Sequence, residues 1–107
     1  PSTWPGFRLP HTWLDDGTPI QDRIGSGHTL LVLGGASVDP RPLGEAFAAI
    51  GAPFETLTLP DADPRAVYGR DLLLLRPDLH VAWRGNALPD DPGALARRVT
   101  GHGTAGA

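Results

Sequence analysis

The expected architecture is a mixed α/β domain in the order β-α-β, short helix, β-hairpin, helix, with an extended arm in front. Three observations predict it. Leu72, Leu73, Leu74 and Leu75 form an unbroken apolar run, the pattern of a strand covered on both faces. Leu43, Ala46, Phe47 and Ile50 recur at i, i+3, i+4 and i+7 between two strand-like segments, which places a helix in a crossover between parallel strands. Arg76-Pro77-Asp78-Leu79 then separates the leucine run from His80-Val81-Ala82-Trp83-Arg84. Proline fixes φ and offers no N–H, aspartate tolerates turn geometry, and a hairpin follows.

Each element has its own punctuation. Pro1 to Gly27 is rich in Pro and Gly and carries Trp4, Phe7, Leu9, Trp13, Leu14 and Ile20 without a sustained period. Chains do not leave so many large apolar groups in water, so this segment is an ordered arm laid over a surface. Asp15-Asp16-Gly17 signals a turn, and Ile20 to Ile24 suits one helical turn. Thr29 to Leu33 is the first strand. Asp39 is placed as the N-cap of the crossover helix with Pro40 at its first position, where the missing N–H costs nothing. Gly51 closes that helix in the left-handed conformation, and Pro53 prevents its continuation. Phe54 to Leu59 is the next strand, and a crossover of this kind is right-handed. Asp63-Pro64 caps a short helix that Gly69 ends. Asp91-Pro92 starts the last helix, with Leu95 and Val99 on one face and Gly101 as its stop. The chain thus divides into an arm or linker over residues 1–27, a domain over 28–101 and a tail of small residues over 102–107, expected to be flexible. The order of elements is that of thioredoxin, a mixed sheet with helices on both faces.

Composition narrows the function classes. A chain of 107 residues holds one modest core and not a dinucleotide-binding domain plus a substrate domain. The net charge of −3 and the nine scattered basic residues, clustered nowhere beyond Arg97-Arg98, argue against a nucleic-acid surface. Lysine is absent, a bias that carries no mechanistic weight. Cysteine is also absent, which removes disulfides, thiol nucleophiles, thiolate metal sites and dithiol redox chemistry together. No apolar run approaches the roughly 20 residues of a membrane span, and no secretory signal opens the sequence, so the expectation is a soluble cytoplasmic protein. With Pro1 first and no methionine anywhere, the chain is expected to be a fragment of a longer polypeptide.

The polar residues are weighed against plain structural roles. His11, His28, His80 and His102 fall on separate elements with no second ligand at metal spacing, so no metal site is assigned. Ser26, Ser37 or Thr29 with a histidine and an aspartate compose a triad only formally, because no nucleophile-elbow pattern surrounds them. Asp15-Asp16 and Asp90-Asp91 adjoin turns or a helix start, where carboxylates satisfy backbone N–H groups. Arg76, Pro77, Asp78, His80, Trp83 and Arg84 are assigned as a structural hairpin, with Trp83 a core anchor and Arg76 or Arg84 pairing with Asp71 or Asp78. Trp4, Phe7, Pro10, His11, Trp13 and Leu14 supply more apolar area than one small sheet needs, and form a candidate domain or subunit interface.

Three segments carry a resemblance: GFRLPHTWLDDG from Gly6 to Gly17, HTLLVLG from His28 to Gly34, and YGRDLLLLRPDLHVAWRG from Tyr68 to Gly85, with RPD-x-HVAWRG from Arg76 to Gly85 as the best motif. Together they resemble the C-terminal thioredoxin-like domain of FAD-dependent aromatic hydroxylases, the phenol, 3-(3-hydroxyphenyl)propionate and polyketide hydroxylase type, over roughly Gly6 to Gly101. The resemblance implies a parent enzyme that reduces FAD with NAD(P)H, forms a flavin hydroperoxide with oxygen and inserts one oxygen atom into a phenolic or polyketide ring. It carries no catalytic or cofactor-binding residue onto this chain. Gly34-Gly35-Ala36-Ser37 follows a strand but lacks the G-x-G-x-x-G spacing. The region from Gly34 to Pro42, where redox thioredoxins carry Cys-x-x-Cys, has no sulfur, and Arg70-Asp71 stands where their proline precedes the third strand. The reading is therefore a noncatalytic structural or docking module whose partners are the preceding FAD-binding and substrate domains, or a second copy of the chain. The alternative is a freestanding cysteine-free thioredoxin-like binding protein. An autonomous oxidoreductase ranks behind both.

Overall fold

The apolar runs become strands, and the computed structural model, which describes residues 5–101, orders them into one four-stranded sheet. Strands β1 (His28–Leu33), β2 (Phe54–Leu59), β3 (Leu72–Leu75) and β4 (Val81–Gly85) lie in the order β2-β1-β3-β4. β1 and β2 are parallel and joined through helix α1 (Arg41–Ile50), whereas β3 runs antiparallel to both β1 and β4. Helices α2 (Ala62–Tyr68) and α3 (Pro92–Val99) and a 3-10 turn at Ile20–Arg23 complete the described elements. This is the thioredoxin-like mixed sheet anticipated from the pattern of apolar runs.

The two central strands explain the core. Every residue of β1 and β3 is buried, and period-two alternation sends their side chains to opposite faces. Leu30, Val32, Leu72 and Leu74 meet Leu43 and Phe47 of α1 and Leu95 and Ala96 of α3. Leu31, Leu33, Leu73 and Leu75 meet Leu59, Tyr68 at the end of α2, and Leu9, Leu14 and Ile20 from the N-terminal segment. Each leucine of β3 is fully buried, a contribution of about 1.5–3 kcal/mol apiece, so this one strand matches the whole net stability usual for a small domain.

Some boundaries differ from those read in the sequence. β1 starts at His28, whose N–H donates to the Pro53 carbonyl at 3.1 Å while its residue pairs with Phe54. β4 starts at Val81, because His80 pairs with Arg8 of the arm in an isolated antiparallel bridge. α1 starts at Arg41, with Pro40 at the cap position. Asp39 lies one residue too early to cap it and accepts from the Arg41 N–H at 3.1 Å in a local turn. α2 starts at Ala62 and not behind an Asp63 cap. Its preceding Asp61 makes no cap and accepts the Asp15 N–H at 2.6 Å, tying arm to helix. The remaining signals act as read: Asp91 caps α3 by accepting the Ala94 N–H at 3.0 Å, and Gly51 ends α1 at φ 80°, a backbone that side chains resist.

The N-terminal segment lies along the outer edge of β4. Gly6 N–H donates to the Val81 carbonyl at 2.7 Å, Val81 N–H to Phe7 at 2.8 Å and Leu9 N–H to Leu79 at 2.8 Å. These bonds close the first part of an otherwise open sheet edge. Beyond them the chain turns under the sheet, where Ile20 N–H donates to the Thr12 carbonyl at 3.1 Å and Trp13 bridges Pro19.

Candidate docking surface

The arm has an inner and an outer side. Leu9 and Leu14 point inward and are 4% and 5% exposed, while Phe7 and Trp13 remain 56% and 54% exposed. The exposed His11 meets Trp13 edge-on, with ring centroids 4.8 Å apart and an interplanar angle of 83°. Half-buried Pro10 is pinned from below, its carbonyl accepting the Tyr68 hydroxyl at 2.7 Å. Of the six residues assigned to an interface, Phe7, His11 and Trp13 therefore face outward, Pro10 is the anchor, and Trp4 lies outside the described residues. Leu14 corrects the set: it belongs to the chain's own core, because the turn closed by its N–H to the Thr18 carbonyl at 2.8 Å sends it inward.

The hairpin is held by its own polar groups. Arg76 Nη2 meets Asp78 Oδ2 at 2.6 Å, and the His80 N–H donates to Asp78 Oδ1 at 3.2 Å. Desolvation works against the Asp78 carboxylate, yet the His80 N–H and the Arg76 charge hold its pKa below the usual range. Leu79 takes φ 65°, a left-handed conformation costly for a branched side chain, held by its N–H to the Arg76 carbonyl at 3.0 Å. Pro77 is exposed at the tip. Asp71 pairs with Arg65, at 2.8 Å, while Arg76 takes Asp78. Register explains Trp83: Leu75 faces Val81 but Leu74 faces Trp83, so Ala82 is an extra residue, a β-bulge. The bulge moves Trp83 to the face covered by α1 and α3, where it is half-buried against that core. Arg84 lies half-buried opposite Leu73.

Two residues without an assigned role emerge as structural. The buried His28 ring lies on Phe47, centroids 5.0 Å apart, and burial lowers its pKa from 6.5 against the opposing pull of the Val99 backbone. Burial also pushes the Tyr68 phenol well above its ordinary 10. No local spacing flagged Tyr68, since its Pro10 partner is 58 residues away. His11, His28 and His80 stay apart, His102 lies outside the described residues, and among the described residues no three His, Asp or Glu side chains gather as a metal site.

Neither the Gly34-Gly35 turn nor the cleft beside Pro53 has the features of a dinucleotide site. In a dinucleotide site a glycine turn leads straight into a helix N-terminus aimed at the pyrophosphate. Here α1 does not begin until Arg41, and at Gly34 the place of a Cβ is already 2.9 Å from Cγ of Arg65, which is itself engaged by Asp71. A surface cleft of about 320 Å³ beside Pro53, Phe54 and Glu55 is lined otherwise by Gly25, Ser26 and Gly27, and offers neither arginine nor helix end to a phosphate.

Comparison with known proteins identifies the family. The family model described as aromatic-ring hydroxylase, C-terminal, matches residues 2–102. The FAD-dependent monooxygenase apdD of Emericella nidulans is 36% identical over 92 residues, covering 82% of this chain and 15% of that protein. The substrate-free rebeccamycin biosynthetic enzyme REBC superposes with a TM-score of 0.85 at 42% identity, over 95% of this chain and 20% of that one. A ternary complex of aklavinone-11 hydroxylase with FAD and aklavinone gives 0.68 at 28% identity, over 89% and 21%. The chain thus spans about a fifth or less of the length of these relatives. A match over nearly the whole sequence and a shared mixed sheet lead to one conclusion: the chain belongs to the aromatic-ring hydroxylase C-terminal domain family.

Proposed function

We propose that this chain is the noncatalytic C-terminal docking module of an FAD-dependent aromatic-ring monooxygenase. The observation that carries the reading is the two-sided arm: Leu9 and Leu14 lock it to the sheet, while Phe7 and Trp13 hold large apolar surface in water. Core residues fix the position of such a pair, and a partner surface gives it something to bury against. The chain's charged groups support the same reading, since Asp91, Asp61, Asp71 and Asp78 are spent on a cap, an arm contact, an ion pair and a turn. FAD then sits in the domains preceding this one, with NAD(P)H as its reductant and a phenolic or polyketide ring as substrate. Such an enzyme works in the cytoplasm, where reduced nicotinamide is regenerated.

The test uses the intact parent polypeptide with Phe7→Ser and Trp13→Ser. Flavin absorbance should be retained, while protease sensitivity at the junction with this domain rises at least several-fold. Unchanged sensitivity, or stoichiometric flavin bound by the isolated chain, overturns the reading.

A further inference from the structure

Both ends of the described chain reach the same end of the sheet. Gly6 bonds to Val81 at the first residue of β4, and Val99, the last residue of α3, contacts His28 at the first residue of β1. Between them lies a cleft of about 310 Å³ lined by Gly6, Arg76, Val81, Ala82, Arg98 and Val99. Val81, Ala82 and Val99 give it an apolar portion, and its two charged groups are both guanidinium. Among the described residues, its chain neighbours apart, no atom lies within 4 Å of where a Gly6 Cβ would stand. Arg76 is held by Asp78 at 2.6 Å, but the exposed Arg98 has no carboxylate partner among the described residues. This cationic cleft stands out against a chain whose net charge is −3.

Resting on the docking reading above, we propose that the cleft receives an Asp or Glu side chain from the region that precedes this chain in the parent polypeptide. The carboxylate sits against Arg98 beside Arg76, and its methylenes lie on Val81, Ala82 and Val99. A guanidinium fork suits a carboxylate, because its paired N–H donors match the two carboxylate oxygens. Gly6 lines the cleft, so a carboxylate tethered a short way before it in the same polypeptide meets the guanidinium groups at high effective concentration.

Within this chain no native lysine competes with one introduced by substitution. In the intact parent polypeptide, Arg98→Lys sets a side-chain amine in the cleft, and a zero-length carbodiimide joins it to any carboxylate in contact. Arg97→Lys is the control, because Arg97 lies over Gly93, outside the cleft. The expected result is an amide between position 98 and an upstream Asp or Glu of the same polypeptide, lost at high ionic strength and absent from the control. No adduct, an adduct to Asp78, or one to a second copy revealed by mixing isotopically labelled protein overturns the proposal. Loosening by the Phe7 and Trp13 substitutions is read independently, so the docking reading survives any of those outcomes.

Discussion

His28 illustrates how the surroundings of one side chain set a pH dependence. Its imidazole is buried against Phe47, and desolvation favours the neutral ring, so the folded-state pKa falls below 6.5. Between the folded and unfolded values the unfolded chain binds more protons, so stability is full above about pH 6.5 and declines as the pH falls below it. Asp16, Asp39 and Asp78, whose pKa values are also lowered, act only below their ordinary 3.8 and leave this window to the histidine. Melting temperatures across mildly acidic pH should therefore drop for the native chain and stay level for His28→Phe, which keeps the ring contact. Tyr68 provides a second measurement. Tyr68→Phe removes the bond to Pro10 and should lower stability by about 1 kcal/mol, read as a shifted urea midpoint with an unchanged slope.

The helices differ in how their first turns are satisfied. α3 begins behind a true cap, Asp91 accepting from Ala94, whereas α1 begins behind Pro40 with Asp39 displaced into a turn. Asp91→Ala should cost about 1 kcal/mol and Asp39→Ala less than about 0.5 kcal/mol, a difference measurable by chemical denaturation. On the sheet, the bulge at Ala82 decides the environment of Trp83. Without it, alternation from Val81 would turn the indole to the face occupied by the arm.

For the molecule as a whole, the arm is part of the fold. Leu9, Leu14 and Ile20, together with Tyr68 of α2, cover the face formed by Leu31, Leu33, Leu73 and Leu75. A chain beginning at Gly25 would leave that face in water and should show no cooperative thermal transition by circular dichroism. The same packing leaves Phe7 and Trp13 outside, so replacing them should change the stability of the isolated chain by no more than about 0.5 kcal/mol while weakening association with a partner domain. The cationic cleft lies where the arm meets the start of β4, and the arm then runs to the other end of the sheet, where the Asp15 N–H reaches Asp61.

Element type and order were legible in the linear chain because they depend on neighbours. The leucine run, the stripe from Leu43 to Ile50, the Arg76 to Leu79 turn and the Asp91 cap are all relations within a few residues. The outward set Phe7, His11 and Trp13 was legible only as a surplus of apolar area. Composition counts such residues without saying which side of the arm each takes, and Leu14 was accordingly misplaced. The bond from Tyr68 to Pro10, the extra residue at Ala82, the pairing of Arg8 with His80 and the meeting of Arg76 with Arg98 had no local sign. They arise when segments far apart in sequence close on one sheet, where packing on both faces at once selects a single register and a single path for the arm.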